Sequence, residues 1–276
     1  MEQNFTVAMS VYKNDNPQHF KTAVRSIYDK QTIRPSEIVL VKDGPVPSEL
    51  EHAISEICRE IPIVKVVAFD VNKGHAAARQ GGLDNATNEL VAIMDSDDIA
   101  EPFRFEQQLA YMSENPDITV TGSNIMEFVG EQDNIVGLRL VPESDVEIKE
   151  YLKSRCPMNL MTVMYRKSKV MEVGGFIDWF CEEDYYLWIR LALAGHKFHN
   201  HQKSFVNVRV GQEMYQRRGG WKYFKSEASL QYYMLNRKLI GLGRYLYNVA
   251  VRFAVQVAMP NRVRGWVFQK FARKQL

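Results

Sequence analysis

Cysteine is scarce in this chain of 276 residues: Cys58, Cys156 and Cys181 are odd in number and far apart. They build neither a disulfide framework nor a zinc-ligand pattern, which points to a reducing cytoplasm. No run of about 18 uncharged apolar residues occurs, so no membrane-spanning helix is expected. The opening Phe5–Val11 stretch is too short and too polar-flanked for a secretory leader. No Gly-rich fingerprint follows it; Ser10-Val11-Tyr12-Lys13-Asn14 stands there instead, which argues against a nicotinamide or flavin Rossmann enzyme. A Walker A sequence is missing too, which argues against a P-loop nucleotidase, and there is no internal repeat or low-complexity tract. Acid is missing from one end of the chain. From Met214 onward 13 Lys/Arg face a single acid, Glu227, whereas the preceding 213 residues carry 22 bases and 32 acids. An acidic body with a basic tail suits a tail that meets an anionic surface.

What is present is a soluble globular composition, 46% hydrophobic and 25% charged, with an ample core. Apolar, β-branched segments at Phe5–Val11, Glu37–Val41, Ile63–Phe69 and Leu90–Met94 alternate with helix-like segments. The helices are expected at Pro17–Lys30, Glu49–Glu60, Gly74–Ala86 and Glu101–Glu114. This alternation predicts an α/β fold with a doubly wound, mostly parallel sheet. Past Ile118–Phe128 the pattern weakens; Glu182–Ala194 and Trp221–Leu239 read as helices. Ligands of open α/β sheets bind beyond the carboxyl ends of the strands. Asp43, the Asn72–Arg79 segment and Asp95-Ser96-Asp97-Asp98 all lie at such ends.

The last of these carries the most information. Three carboxylates in four residues repel one another unless a cation sits among them. A hard divalent ion with oxygen ligands, Mg2+ or Mn2+ rather than zinc, meets that need and keeps positions open for substrate phosphates. The alternative is an N-cap for the following helix, for which one Asp would suffice. Glu182-Glu183-Asp184 forms a second acidic run, either a general base with its neighbours or a first turn favoured by the helix dipole. Trp188 and its apolar neighbours Leu187, Ile189 and Leu191 are expected in the core.

Taken in order, Ser10-Val11-Tyr12, Val41-Lys42-Asp43-Gly44, Asn72-Lys73-Gly74-His75-Ala76-Ala77-Ala78-Arg79, the Asp95 cluster and Glu182-Glu183-Asp184-Tyr185-Tyr186-Leu187-Trp188 resemble the inverting nucleotide-sugar glycosyltransferases of family 2. The resemblance is to the branch that makes amylovoran, O-antigen and capsular polysaccharide, and it covers roughly Phe5 to Trp221. It implies a GT-A fold, with residues 1–220 as the catalytic domain (1–100 the nucleotide-sugar half, 101–220 the acceptor half) and 221–276 as a basic helical extension that associates with membrane. It implies nucleotide-sugar contacts from Ser10, Val11, Tyr12, Asp43, Asn72, Gly74, Arg79, Asp95 and Ser96. Asp43 would accept from a uracil N3–H, its alternative being a turn Asp, and Asp95 would lie near the ribose. Asp97 and Asp98 would hold Mn2+ or Mg2+, and Asp184 would be the base. Arg217 and Arg218 would grip the diphosphate, and Trp179, Glu182, Glu183 and Asn159 would meet the acceptor. The family segment matched by Cys156-Pro157-Met158-Asn159 usually continues with a polar residue, where this chain has Leu160.

The implied reaction moves a hexose, galactose before glucose or N-acetylglucosamine, from a UDP-sugar to an undecaprenyl-diphosphate-linked saccharide. Its place would be the cytoplasmic, inner face of the bacterial inner membrane. A sugar-nucleotidyltransferase of similar fold lacks support, because its Gly-rich, Arg-containing first loop is missing; a non-catalytic assembly protein is the other alternative. Arg244, Asn248, Arg252 and Gln256 recur every four residues as one polar stripe, and cations interleave with Trp266, Phe268 and Phe271 near the end. The last segment reads as an interfacial helix at an anionic membrane surface. The first reads either so or as a helix packed on the body. Nucleic acid is not expected, since the body is acidic and no matching motif accompanies the tail.

Overall fold

The computed structural model describes residues 4–211 and 219–259. Its first part is β1 (Phe5–Val11), α1 (Pro17–Ile27), β2 (Glu37–Lys42), α2 (Ser48–Glu60), β3 (Val64–Ala68), α3 (His75–Asn85) and β4 (Leu90–Met94). Then come β5 (Ile99–Ala100), α4 (Arg104–Glu114), β6 (Ile118–Phe128), β7 (Ile135–Arg139), α5 (Asp145–Leu152), β8 (Met164–Arg166), α6 (Lys167–Glu172), α7 (Glu183–Leu193) and β9 (Lys197–Arg209). Two further helices, α8 (Trp221–Asn236) and α9 (Leu242–Phe253), follow, and α9 runs on into a π-helical turn over Ala254–Ala258.

The strands form one sheet in the order β3-β2-β1-β4-β8-β6-β9-β5, with β7 paired to β6. β3, β2, β1 and β4 are parallel neighbours, so their carboxyl ends share one edge. β8 then enters antiparallel to both β4 and β6, and β9 runs parallel to β6 with register shifts near Ser123 and Asn124. The expected α/β sheet is present, its first half as anticipated. Helix α1 stops at Ile27 rather than Lys30, and α4 begins at Arg104 rather than Glu101. The second difference has a cause in the sheet: Ile99–Ala100 pairs with β9, and the Glu101 N–H donates to the Phe205 carbonyl at 2.9 Å.

Alternation along the strands divides the core. Phe5, Val7, Met9 and Val11 of β1 with Leu90, Ala92 and Met94 of β4 face α1, α2 and α4. Ala8, Val91 and Ile93 face the opposite layer, with α5, α7 and α8. Helix α1 starts where Asn16 accepts from the N–H groups of Gln18 and His19, with Pro17 at the first position, and it buries Phe20, Val24 and Ile27. Helix α5 opens with a capping box between Ser144 and Glu147. Helix α3 is built of small residues for a reason of space. A Cβ on Gly82 would lie 3.0 Å from the Ala8 Cβ, so the helix carrying Arg79 rides close on β1.

Trp188, Leu187, Ile189 and Leu191 are buried, as expected. Leu230, Met234 and Ile240 join Trp188 in the same core cluster. The core therefore has no break at residue 220, and α8 belongs to the catalytic body.

On β9, Tyr111 stacks on His199 (3.9 Å between centroids) and meets His201 edge-on. Burial, with His199 and Lys203 nearby, lowers His201 to about 4 from its ordinary 6.5. The folded state thus binds fewer protons than the unfolded chain between these values. Its contribution to stability is full above pH 6.5 and is lost as pH falls toward 4. Unfolding free energy should drop by about 2 kcal/mol from this group between pH 7 and 5. His201→Phe should remove most of that slope in denaturant titrations at the two pH values; an unchanged slope would assign it elsewhere.

Candidate active site

Ser10 is the last residue but one of β1, Asp43 follows β2 and Asp95 follows β4, so parallel pairing brings all three to one edge. A narrow crevice with room for about one water, ≈ 10 Å³, is lined there by Ser10, Arg79, Met94 and Asp95 among others. Tyr12, directly after β1, has its ring 6.4 Å from that of His75 at the start of α3.

Asp43 is only 5% exposed. Its carboxylate accepts from Asn72 Nδ2 (2.9 Å), the Lys73 N–H (2.7 Å) and the Gly74 N–H (3.0 Å). Of about four acceptor positions, three already clasp the loop that precedes α3. Gly44 lets the loop come this close: its φ is +87°, and a Cβ would lie 2.6 Å from the Asn72 backbone nitrogen. Gly74, at φ +88°, has nothing within 4 Å of where a Cβ would stand, so its outer side faces open space.

The acidic loop after β4 is divided by depth. Asp97 is exposed at the lip. Desolvation of its carboxyl and the neighbouring carboxylates of Asp95 and Asp15 raise it to about 6. Asp98 is 2% exposed and accepts the Arg209 N–H at 2.9 Å. Burial, then Asp97 and Asp95, push its carboxyl well above the usual range. Asp98 therefore ties the acidic loop to β9 through Oδ1 from a buried position. Ser96 is buried, and its hydroxyl donates to Asp15 at 2.8 Å. Val11 is also a core residue, whose carbonyl accepts the Asp43 N–H at 2.8 Å.

Three site residues escape a reading by motif. Asp15, in the loop after β1, accepts from Ser96 and from the Tyr12 N–H and joins the acids as a further carboxylate. Arg209, at the end of β9, donates from Nε to the Asp97 carbonyl at 3.3 Å. Arg104 is fully buried beneath the loop, donating to the Ile93 carbonyl at 2.7 Å and to Gln108. Burial lowers it to about 9, with Asp98 and Asp95 acting in the opposite sense. Asp15-Asn16-Pro17 at a strand's carboxyl end was the one usable sequence signal; Arg104 and Arg209 are single cations with none.

The second acidic run meets the first through Arg79. Its guanidinium pairs with Glu183 through Nη1 and lies 3.8 Å from Asp95 through Nη2. Helix α3 thereby joins the acidic loop after β4 to the first turn of α7. Glu182 is buried and accepts the Tyr223 hydroxyl of α8 at 2.6 Å. Glu182 and Glu183, both expected at the acceptor, thus each have a partner within the protein. Asp184 is half-buried; its Oδ1 accepts the Tyr185 N–H at 2.7 Å, and the Cys156 thiol lies 3.7 Å from Oδ2. Among the described residues no cation pairs with it. Asn159 is buried too, donating to the Ser123 carbonyl at 2.8 Å, so it braces β6.

Trp179 stays at the surface, its indole N–H donating to the Ser226 carbonyl and its ring 4.6 Å from Tyr186. It lines an open groove of ≈ 330 Å³ with Asp178, Phe180, Lys222 and Lys225. Arg217 and Arg218 lie outside the described residues.

Comparison with known proteins bears on the family and the fold. The model of glycosyl transferase family 2 matches residues 6–177. The chain is 33% identical over 266 residues to the amylovoran biosynthesis glycosyltransferase AmsE of Erwinia amylovora, covering 96% of this chain and 98% of that one. It is 34% identical over 272 residues to the Escherichia coli UDP-Gal:alpha-D-GlcNAc-diphosphoundecaprenol beta-1,3-galactosyltransferase, covering 99% and 98%. Among solved structures, S. aureus TarS superposes with a TM-score of 0.65 at 17% identity, over 97% of this chain and 48% of TarS, so the chain spans about half of that protein. The mannosyltransferase PcManGT of Pyrobaculum calidifontis, in complex with GDP-Man and Mn2+, gives 0.64 at 14% identity over 99% and 81%. Such identities speak for the fold alone, which is GT-A. The family match and the relatives at a third identity along nearly their whole length show that this chain belongs to glycosyl transferase family 2 and is a glycosyltransferase.

Proposed function

We propose that the chain transfers a hexose, galactose first, from a UDP-sugar to a lipid-diphosphate-linked saccharide with inversion at the anomeric carbon. The observation that carries this reading is the link from Asp95 through Arg79 to Glu183, which holds Asp184 beside the donor edge with its carboxylate unclaimed by any described cation. In a single displacement Asp184 accepts the proton of the acceptor hydroxyl, the hydroxyl oxygen bonds to C1, and the bond from C1 to the phosphate oxygen breaks to release UDP. Asp95 with Ser10 borders the ribose, and Tyr12, with the Asn72–Gly74 loop that Asp43 clasps, borders the base. The remaining acceptor position of Asp43 is available to a uracil N3–H. Trp179 offers a face to the acceptor sugar, and Arg217 and Arg218 are assigned to the diphosphate from sequence.

A divalent cation fits the residues present. Asp97 offers an exposed oxygen ligand whose charge is crowded by Asp95 and Asp15. Among the described residues no three His, Cys, Asp or Glu are arranged to hold a metal by themselves. That suits Mg2+ or Mn2+, which take one or two carboxylates and complete their shell with phosphate and water. Bound there, such an ion would supply Lewis-acid stabilisation of the departing diphosphate.

Galactose and the diphosphoundecaprenol acceptor are named for the E. coli relative and amylovoran biosynthesis for the Erwinia one; work at the inner face of the inner membrane is part of the proposal and follows from a lipid-linked acceptor. With Mn2+ and N-acetylglucosaminyl-diphosphoundecaprenol, UDP-galactose should release UDP and yield a β-linked disaccharide by mass spectrometry and NMR. UDP-glucose and UDP-N-acetylglucosamine should be slower. Pyrophosphate release from UTP and a sugar 1-phosphate would favour a nucleotidyltransferase instead, and no turnover of any UDP-sugar would refute the reading.

A further inference from the structure

Helix α9 is amphipathic in the wrong sense for water. Its four-residue polar stripe points into the protein: Arg244 pairs with Glu150 at 2.6 Å, and Asn248 donates to the Lys153 carbonyl and to Gln231. Arg252 donates to the Ser154 carbonyl and pairs with Glu227 at 2.8 Å, and Gln256 donates to the same carboxylate. These partners lie on α5, the turn after it, and α8. Of the two readings open for this segment, the contacts of the stripe are those of packing: the stripe fastens the helix to the body.

What remains outside is apolar. Every exposed residue from Leu242 to Ala258 is apolar or glycine, and Leu242, Leu246 and Tyr247 are 62%, 57% and 70% exposed. Val251 and Phe253 continue the face, and Phe253 meets Trp221 and Phe224 of α8 in an aromatic cluster whose Trp221 is itself exposed. A surface helix of a water-soluble protein shows the reverse pattern, and a contiguous apolar face of this size marks an interaction surface.

Charge selects the occupant. The single acid after residue 213, Glu227, is turned inward to Arg252, so within α8, α9 and the turn between them the exposed charged residues are the cations Lys222, Lys225, Arg237 and Lys238; the nearby exposed acid Glu150 is neutralised by Arg244. The 17 residues that follow Met259 add five Lys/Arg, three aromatic residues and no acid. A second copy of the chain would set these cations against one another. An anionic bilayer takes the apolar face among its acyl chains and the cations at its headgroups. The 12 residues of α9 reach about 18 Å, against a hydrocarbon core of about 30 Å, so the helix lies in the plane.

We propose that α9 is an in-plane anchor for an anionic membrane, inserted through Leu242, Leu246, Tyr247, Val251 and Phe253 and tied to the catalytic body through its polar stripe. This places the membrane on a defined helix face of the protein and deepens the proposed function only in its choice of a lipid surface. Vesicle binding needs neither donor nor acceptor, so the two readings fail separately.

The test is sedimentation of the full chain with vesicles of phosphatidylglycerol and phosphatidylethanolamine, and with phosphatidylcholine alone. The chain should bind the anionic vesicles far better. The double substitution Leu246→Glu, Val251→Glu should weaken that binding by about 30-fold or more, with circular dichroism and thermal midpoint unchanged because both side chains are exposed. Undiminished binding by the double variant would overturn the proposal and assign the membrane contact to the last 17 residues. A dimer in light scattering that the double variant dissolves, without vesicle binding by either protein, would assign the face to a second copy and overturn it equally.

Discussion

Asp184→Asn is expected to lower kcat roughly a thousandfold, about 4 kcal/mol in the barrier, with UDP affinity unchanged. The size follows from what surrounds the three acids of the run. Glu182 is committed to Tyr223 and Glu183 to Arg79, so neither is free to take over the proton. Asn keeps the volume and can still accept the Tyr185 N–H through its carbonyl oxygen, so α7 should keep its first turn. The measurement is single-turnover transfer alongside calorimetric UDP titration. Transfer at the wild-type rate would place the base elsewhere, and loss of UDP binding would mean that the substitution had disturbed the donor edge through Glu183 and Arg79.

Asp97→Asn should reduce Mn2+-dependent UDP affinity by about 100-fold. Asp97 is the exposed member of its cluster, and its neighbours make the isolated carboxylate costly to ionise. A cation bridging to the diphosphate relieves that repulsion; without the cation the anionic ligand meets anionic side chains. Chelation and substitution should therefore converge: wild-type protein in EDTA should bind UDP as weakly as the variant does in Mn2+. Affinity retained in EDTA would contradict the metal role. Because Asn also removes repulsion with Asp95 and Asp15, the thermal midpoint of the variant should be equal or higher, which separates loss of a ligand from loss of the fold.

The parallel half of the sheet was readable because each strand there is short, apolar and bounded by a helix of its own. Its site residues were readable for the same reason, standing where those strands end. The second half was not. β8 is three residues long and lies between β4 and β6, and β9 joins β6 through register shifts, none of which leaves a periodic trace. Depth within the acidic loop was equally invisible: Asp97 and Asp98 are adjacent in sequence, yet Arg209, more than a hundred residues on, decides that the second is buried. The period of α9 announced a polar stripe but not which way it faces, since that depends on Glu150, Lys153, Ser154 and Glu227 being in place to receive it.

The bond between Tyr223 and Glu182 bears on how the molecule can be divided. The family match ends at residue 177, seven residues before Asp184, and the expected domain boundary at 220 precedes α8. A fragment cut at either place would keep the donor edge. The first would lose Asp184; the second would leave the Glu182 carboxylate stranded, uncover Trp188 and strip the Ser226 carbonyl from Trp179. The smallest portable catalytic unit therefore includes α8. Since α8 is in turn bracketed by α9, through Asn248 on Gln231 and Arg252 on Glu227, trimming away the apolar helix to gain solubility would loosen the support behind Asp184, the proposed proton acceptor.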